Sequence, residues 1–283
     1  MYLSAYFFAK AEAGVLTIPS IALPLKCVMV AAMLLARYKT IAHRAHDVAH
    51  PVSLAKIDKL LGLCELEKGG RVVELGCGKA EVLIRLVERN HVIAEGVDTA
   101  AQFLAEARAR AERRVPHASL TLHEGDAATY PLAPSTYDAA LCISASHALG
   151  GLAPTLRAFL STVRPFGWIV VGHHYLRKEP DAAYLAALDL RREDLATHAE
   201  NVHAGVVMGL VPIFAACASE DELDDYEWRF ASSVESFAMA HPHDPEVPEM
   251  LDRVRAHRTA YLRYGRDTLG FGLYLFRRPG LDV

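Results

Sequence analysis

The stretch VVELGCGKAEVLIRL, Val72 to Leu86, decides the fold. A short β-rich run enters Gly76-Cys77-Gly78 and a segment with helical spacing follows, so strand, tight turn and helix succeed one another. Glycines at such a turn let the backbone bend sharply and approach a ligand, while the first amides of the helix face it. Twenty residues after Gly78, Asp98 ends a second strand in EGVDTA. A carboxylate at that spacing can accept hydrogen bonds from both hydroxyls of a ribose. A dinucleotide site would want a third glycine where this chain has Ala80, and Glu81 stands where two phosphates would be repelled. A nucleoside with a zwitterionic amino-acid tail suits the turn better. The plainer alternative is that the glycines only make a tight turn and Asp98 only caps the helix after it.

Outward from this stretch, β-rich runs alternate with helical patterns. The strand candidates are 71–75, 92–98, 119–125, 137–143 and 167–172, then 210–219 and 271–278. Between them, Ala80 to Arg89 and Ala100 to Arg114 have helical spacing or helix-forming composition. This predicts an α/β, Rossmann-like fold, a seven-stranded and mostly parallel sheet with helices on both faces. Ser219 and Glu222 predict a capping box opening a helix, HPHDPEVP breaks it, and a second helix is expected from Val247 to Thr268. The expected organisation is an N-terminal helical lid over 1–42 and a main domain over 43–283, with a helical insertion at 220–269 before the last strand.

Composition narrows the function. Over 283 residues the formal charge is −4, which gives no bulk reason to expect nucleic acid. The basic run EARARAERR, Glu106 to Arg114, reads as a solvated helix face. Five cysteines without a C-x-x-C signal neither a disulfide framework nor a zinc knuckle, so free thiols in a reducing cytoplasm are expected. The apolar stretch from Ile21 to Lys39 is cut by Pro24 and Lys26 to Cys27–Ala36. That falls short of the ~20 residues that span a bilayer, and a buried helix is expected instead. No basic segment precedes it, as a secretory signal would require.

VVELGCGKAEVLIRL, EGVDTA, EGDAATYPLAPSTYDAALCISASHALG and LRAFLSTVRPFGWIVVG resemble motifs I, post-I, II and III of class I S-adenosylmethionine-dependent methyltransferases, from about Lys68 to Gly172. The resemblance implies S-adenosylmethionine as cofactor. It implies that Glu74 and the turn Gly76, Cys77 and Gly78 hold the methionyl part, that Asp98 binds the ribose with Thr99 beside it, and that Asp126 and Ala127 face the adenine. Ile143 and Ser144 would lie beneath the sulfonium. Lys79-Ala80 departs from a more glycine-rich turn. The flanks IAHRAHDVAHP, GHHYLRKEP, SEDELDDYEW and RYGRDTLGFGLYLFR resemble a bacterial subgroup of small-molecule methyltransferases, in which an N-terminal helical lid and an insertion before the last strand roof the substrate pocket.

Methyl transfer from a sulfonium is an in-line displacement, so positioning comes first and a base helps where the nucleophile must shed a proton. Histidine suits that work near neutral pH. The catalytic candidates are His147 after the fourth strand, His173, His174 and Tyr175 after the fifth, and His43 and His46 ahead of the core. His173 and His174 should point to opposite sides if extended. His43, His46 and His50 would share one face of a helix that Pro51 ends, but no carboxylate or cysteine completes a ligand set, and no metal is expected. Tyr226, Glu227 and Trp228 read as an apolar helix face with one acid outward. These features predict methylation of an oxygen or nitrogen of a small metabolite. ISAS after the fourth strand, in place of an Asn/Asp-Pro-Pro-Tyr/Phe sequence, argues against nucleic acid. Two alternatives stay open: a non-methylating alkylation or cyclisation with the same cofactor, as in natural-product enzymes, and a non-catalytic cofactor-binding subunit. A homodimer or an accessory protein is also left open.

Overall fold

The computed structural model describes residues 25–188 and 190–280. In chain order the helices and strands are α1 (Leu25–Ala42), α2 (Leu54–Leu61), β1 (Arg71–Leu75), α3 (Glu81–Asn90), β2 (Ile93–Asp98), α4 (Ala101–Arg114), β3 (Leu120–Glu124), β4 (Tyr137–Ile143) and α5 (Leu152–Thr162). They continue as β5 (Val163–Leu176), α6 (Ala182–Leu188), α7 (His198–Val206), β6 (Val211–Cys217), α8 (Glu220–Ala240), α9 (Val247–Ala260) and β7 (Leu269–Arg277).

The seven strands form one sheet in the order β3-β2-β1-β4-β5-β7-β6. All neighbours are parallel except at β7, which runs antiparallel to both β5 and β6. The order reverses between β1 and β4, and ligands of open α/β sheets bind at the carboxyl ends of the strands beside such a switch. Strands covered on both faces read as continuous apolar runs, and successive residues of β1 confirm the pattern. Val72 packs with α2, α3 and α4 through Ile57, Leu83 and Leu104, while Val73 packs with α5 through Leu156 and Phe159. β5 runs well past the expected 167–172 because β7 pairs with it from Trp168 to Leu176.

Over the carboxyl ends of the strands sits a third layer. Leu35, Tyr38, Ile41 and Ala42 of α1 pack against Phe230 and Val234 of α8 and Met250 and Val254 of α9. The guanidinium of Arg37 adds bonds to Asp244 and Glu246. α8 opens as expected, with Ser219 Oγ accepting from the Glu222 amide at 3.2 Å and Glu222 Oε2 accepting from the Ser219 amide at 2.7 Å. The second insertion helix is not continuous to Thr268. It ends at Ala260 and passes through a π turn at Tyr261–Gly265. There the Tyr261 hydroxyl donates to Asp224 at 2.6 Å, and the Tyr184 hydroxyl stands 2.6 Å from where a Cβ on Gly265 would be. The part of the expected lid at 1–24 lies outside the described residues. Among the described residues no helix is long and apolar enough to cross a membrane, and Cys64, Cys77, Cys142 and Cys217 are free thiols.

Candidate active site

One cavity of about 650 Å³ opens at the carboxyl ends of β1, β2 and β4 under α1. Its wall holds all ten residues assigned to a cofactor from the sequence: Glu74, Gly76, Cys77, Gly78, Asp98, Thr99, Asp126, Ala127, Ile143 and Ser144. Gly76 and Gly78 take φ of +72° and +53°, a region that favours glycine. At Gly76 space decides as well, since an added Cβ would stand 2.1 Å from the Ala145 Cβ of the loop after β4. The amides of Gly76 and Cys77 both donate to the Val97 carbonyl, at 2.8 and 3.0 Å. Asp98 Oδ2 accepts from the Gly78 amide and Oδ1 from the Ala100 amide, each at 2.8 Å. Asp98 thus holds the residue just ahead of the helix after it, and it also fixes the glycine turn from the neighbouring strand. Asp126 is exposed and accepts from the Ala128 amide at 2.9 Å, while Ala127 beside it is buried.

Glu74 is the telling residue. It is 3% exposed, and its Oε2 has no hydrogen-bond partner. Burial first, and then the charge of Asp98, pushes its carboxyl up to about 8. A buried carboxylate without a cation is costly. A ligand with an ammonium group would supply the missing partner, and the amino-acid tail of S-adenosylmethionine carries one.

Beside the turn, two sequence readings need correction. Glu81 does not face the ligand as a bare charge. It is 4% exposed and accepts from Arg85 at 2.8 Å, Arg110 at 2.6 Å and Arg114 at 2.7 Å; against the upward push of burial, Arg114 and then Arg110 hold its carboxyl below the usual range. The same contacts show that Glu106–Arg114 is not simply a solvated face, because two of its arginines complete this cluster. Its place in the third-glycine position gives Ala80 a left-handed φ of +54° while fully buried, so the turn keeps a glycine-like geometry without the glycine. Lys79 is buried too; its Nζ donates to the His43 carbonyl at 3.1 Å and pairs with Glu106 at 2.8 Å.

Of the six catalytic candidates, His147 and His43 line the cavity; His46, His173, His174 and Tyr175 are not among its lining residues. His43, His46 and His50 do not share a helix face. α1 ends at Ala42, and the His43 carbonyl receives Lys79 Nζ and the His46 amide rather than a continuing helical bond. His46 turns away to the insertion, its Nε2 3.0 Å from the Tyr226 carbonyl. His173 and His174 do not point apart either, their rings stacking with centroids 4.2 Å from each other. β4 stops at Ile143 opposite Gly172, and β5 runs on past it paired with β7. His173 Nδ1 lies 2.7 Å from Ser146 Oγ. The Tyr175 ring packs edge-on against His198 at 5.2 Å. On α8 the expected orientation is inverted, with Glu227 5% exposed and 2.5 Å from His257 Nε2 while Trp228 is half exposed. His50 was missed as a site residue. It lines the cavity, 5% exposed, with neither ring nitrogen hydrogen-bonded. Among the described residues, no three histidine, cysteine or acidic side chains are placed to hold a metal ion.

Comparison with known proteins agrees with this geometry. Residues 72–167 match the family model described as a methyltransferase domain. A solved S-adenosylmethionine-dependent methyltransferase from Geobacter sulfurreducens, in complex with S-adenosyl-L-homocysteine, superposes with a TM-score of 0.79 at 27% identity, over 85% of this chain and 97% of that one. Residues 72–167 are a methyltransferase domain, and the fold is that of the class I S-adenosylmethionine-dependent methyltransferases. S-adenosylmethionine is the cofactor of this family. The methyltransferase is also similar to the uncharacterized protein YjhP of Escherichia coli (strain K12), at 25% identity over 84% of this chain and 96% of that protein. Over 44% of this chain and 45% of the other, it is 24% identical to 27-O-demethylrifamycin SV methyltransferase of Amycolatopsis mediterranei (strain S699). The fold is shared with the [4+2]-cyclase SpnF, at a TM-score of 0.61 and 19% identity.

Proposed function

We propose that this methyltransferase methylates an oxygen or nitrogen of a small metabolite enclosed under α1 and the helices of the 220–269 insertion. The observation that carries the reading is the unpartnered, buried oxygen of Glu74 beside the Asp98-fastened glycine turn, in a cavity with His147 on its wall. S-adenosylmethionine supplies an electrophilic methyl on a sulfonium, so that the acceptor's lone pair forms the new bond as the carbon–sulfur bond breaks and its electrons stay on sulfur. Glu74 holds the ammonium and the turn from Gly76 to Gly78 approaches the carboxylate. Asp98 and Thr99 meet the ribose, Asp126 and Ala127 the adenine, and Ile143 and Ser144 the sulfonium. His147 orients the acceptor and takes its proton, for a neutral imidazole does this without placing an anion beside the sulfonium. The roof excludes water and fixes the line of attack. An O-methylating relative of similar sequence supports a small-molecule acceptor.

Calorimetry tests the cofactor, with S-adenosylmethionine and its demethylated product expected to bind at micromolar Kd, about −7 to −8 kcal/mol, and NAD not to bind. Tight NAD binding with none of the sulfonium cofactor would overturn the reading. With an acceptor in hand, His147→Ala should slow the single-turnover step at least about tenfold, the low end of what a general base contributes, at nearly unchanged cofactor affinity. A wild-type single-turnover rate in that variant would reduce His147 to packing. Mass analysis of the product separates methylation from cyclisation.

A further inference from the structure

Three residues on the cavity wall have buried polar atoms without a partner: Glu74, His43 and His50. Each is more than nine-tenths buried. The proposed cofactor ammonium accounts for Glu74, and the two imidazoles remain. Buried polar groups are almost always satisfied, and the exceptions call for a ligand or a specific use.

Both rings are held in place by aromatic neighbours. His50 lies flat against Phe271, with centroids 5.9 Å apart and planes 2° from parallel. The Phe271 ring edge meets Gly172, the residue paired with Ile143 at the carboxyl end of β4, where the proposal places the sulfonium. His43 stands edge-on to Phe230 at 5.1 Å, and Lys79 fastens its carbonyl. Burial lowers the pKa of both, that of His50 to about 3, so both imidazoles are neutral at physiological pH. A neutral imidazole offers one N–H donor and one nitrogen acceptor, which together match a hydroxyl group. An anion finds little support here. Among the described lining residues the ammonium groups are Lys39 and Lys79, against carboxylates at Asp47, Glu74, Glu81, Asp98 and Asp126.

We propose that His43 and His50 form the acceptor subsite and that it takes an uncharged, hydroxyl-bearing small molecule, the two imidazoles hydrogen-bonding its hydroxyl or a neighbouring polar group. This deepens the methyltransferase reading above and rests on it. In this arrangement His50 holds the acceptor, and the base remains His147 on the same cavity wall.

Side-chain NMR of histidine-labelled protein saturated with S-adenosyl-L-homocysteine tests this with phenol, benzyl alcohol and cyclohexanol as probes, and benzoate and benzylamine as charged counterparts. Millimolar amounts of at least one hydroxyl probe should shift the His43 and His50 ring signals, and the charged compounds should not. His50→Phe keeps the stacking on Phe271 and removes the unpaired nitrogens. It should raise Tm, leave S-adenosyl-L-homocysteine affinity within about threefold, and abolish the response of His43 to the probes; His50→Asn should recover part of it. If none of the hydroxyl probes moves these signals, if benzoate moves them equally, or if His50→Phe lowers Tm, the subsite is wrong and the imidazoles have structural partners. Failure of the wild-type protein to bind S-adenosyl-L-homocysteine would instead strike the cofactor assignment.

Discussion

Glu74 should stabilise the cofactor complex and destabilise the free protein, and replacing it by glutamine measures both. Its carboxyl is pushed up to about 8 in the folded chain, whereas in the unfolded chain it titrates near the ordinary value of 4.5. A group whose folded pKa lies above its unfolded value binds more protons when folded across the window between the two. Its contribution is therefore fully present below the unfolded value and is lost as pH rises toward the folded one. At about 1.4 kcal/mol per unit, the free protein at pH 7 gives up about 3 kcal/mol relative to a side chain that never ionises. Glu74→Gln keeps the shape and removes the ionisation, so urea denaturation at pH 7 should show a gain of about 3 kcal/mol, shrinking toward zero near pH 4. With cofactor the sign reverses. The ammonium requires the ionised carboxylate, so at pH 7 the wild-type protein should release about 0.9 proton per S-adenosylmethionine bound, read by calorimetry in two buffers of different ionisation heat. Its affinity should climb about tenfold from pH 6 to 7 and level off near pH 8. Glu74→Gln should lose this proton release and bind more weakly by about 2 kcal/mol, the worth of a hydrogen bond to a charged group. A Glu74→Gln protein less stable than wild type at pH 7, or wild-type binding without proton release, would refute the reasoning.

Two further variants probe the turn. Gly76→Ala meets both a φ of +72° and a Cβ 2.1 Å from that of Ala145, and should cost about 3 kcal/mol or more in denaturant unfolding; adding Ala145→Gly should restore part of the loss by removing the overlap but not the backbone strain. Lys79→Met keeps the length of a buried side chain but drops its bonds to the His43 carbonyl and Glu106, so proteolysis within residues 25–50 should speed up about tenfold, the equivalent of one such bond, with the sheet's unfolding nearly unchanged. Unaltered cleavage would mean that Lys79 does not hold the roof.

The sheet and the gathering of ten predicted residues on one cavity wall were legible because their signals are local. Apolar runs broken by glycine and acidic residues placed β1 to β4 within a residue or so, and the turn from Gly76 to Gly78 with Asp98 at its spacing carried the rest of the wall. What was not legible depends on contacts made across the chain. Spacing alone makes His43, His46 and His50 look helical, and only the reach of Lys79 from another element shows why α1 stops at Ala42. The phase of α8 could not be read from Tyr226-Glu227-Trp228, because His257, thirty residues on, is what draws Glu227 inward. Glu81 looked like a ligand-facing charge until Arg110 and Arg114 came to it from α4. Helices α6 and α7 carry too little pattern in seven and nine residues to stand out from the loops around them.

At the departure Lys79-Ala80, the Lys79 side chain joins the roof to the glycine turn. In the turn, Gly78 is fastened to Asp98 from one side, and the next residue reaches the opposite way to the His43 carbonyl. The segment that bears His43 and His50 is therefore tied to the same few backbone atoms that would meet the methionyl group. Arg110 adds a second tie, bonding Glu81 at the start of α3 and Asp47 in that segment. Movement of the turn on cofactor binding would thus be felt at the segment that bears the two imidazoles, through contacts already in place. For a displacement that depends on alignment, this coupling places its order where the reaction needs it.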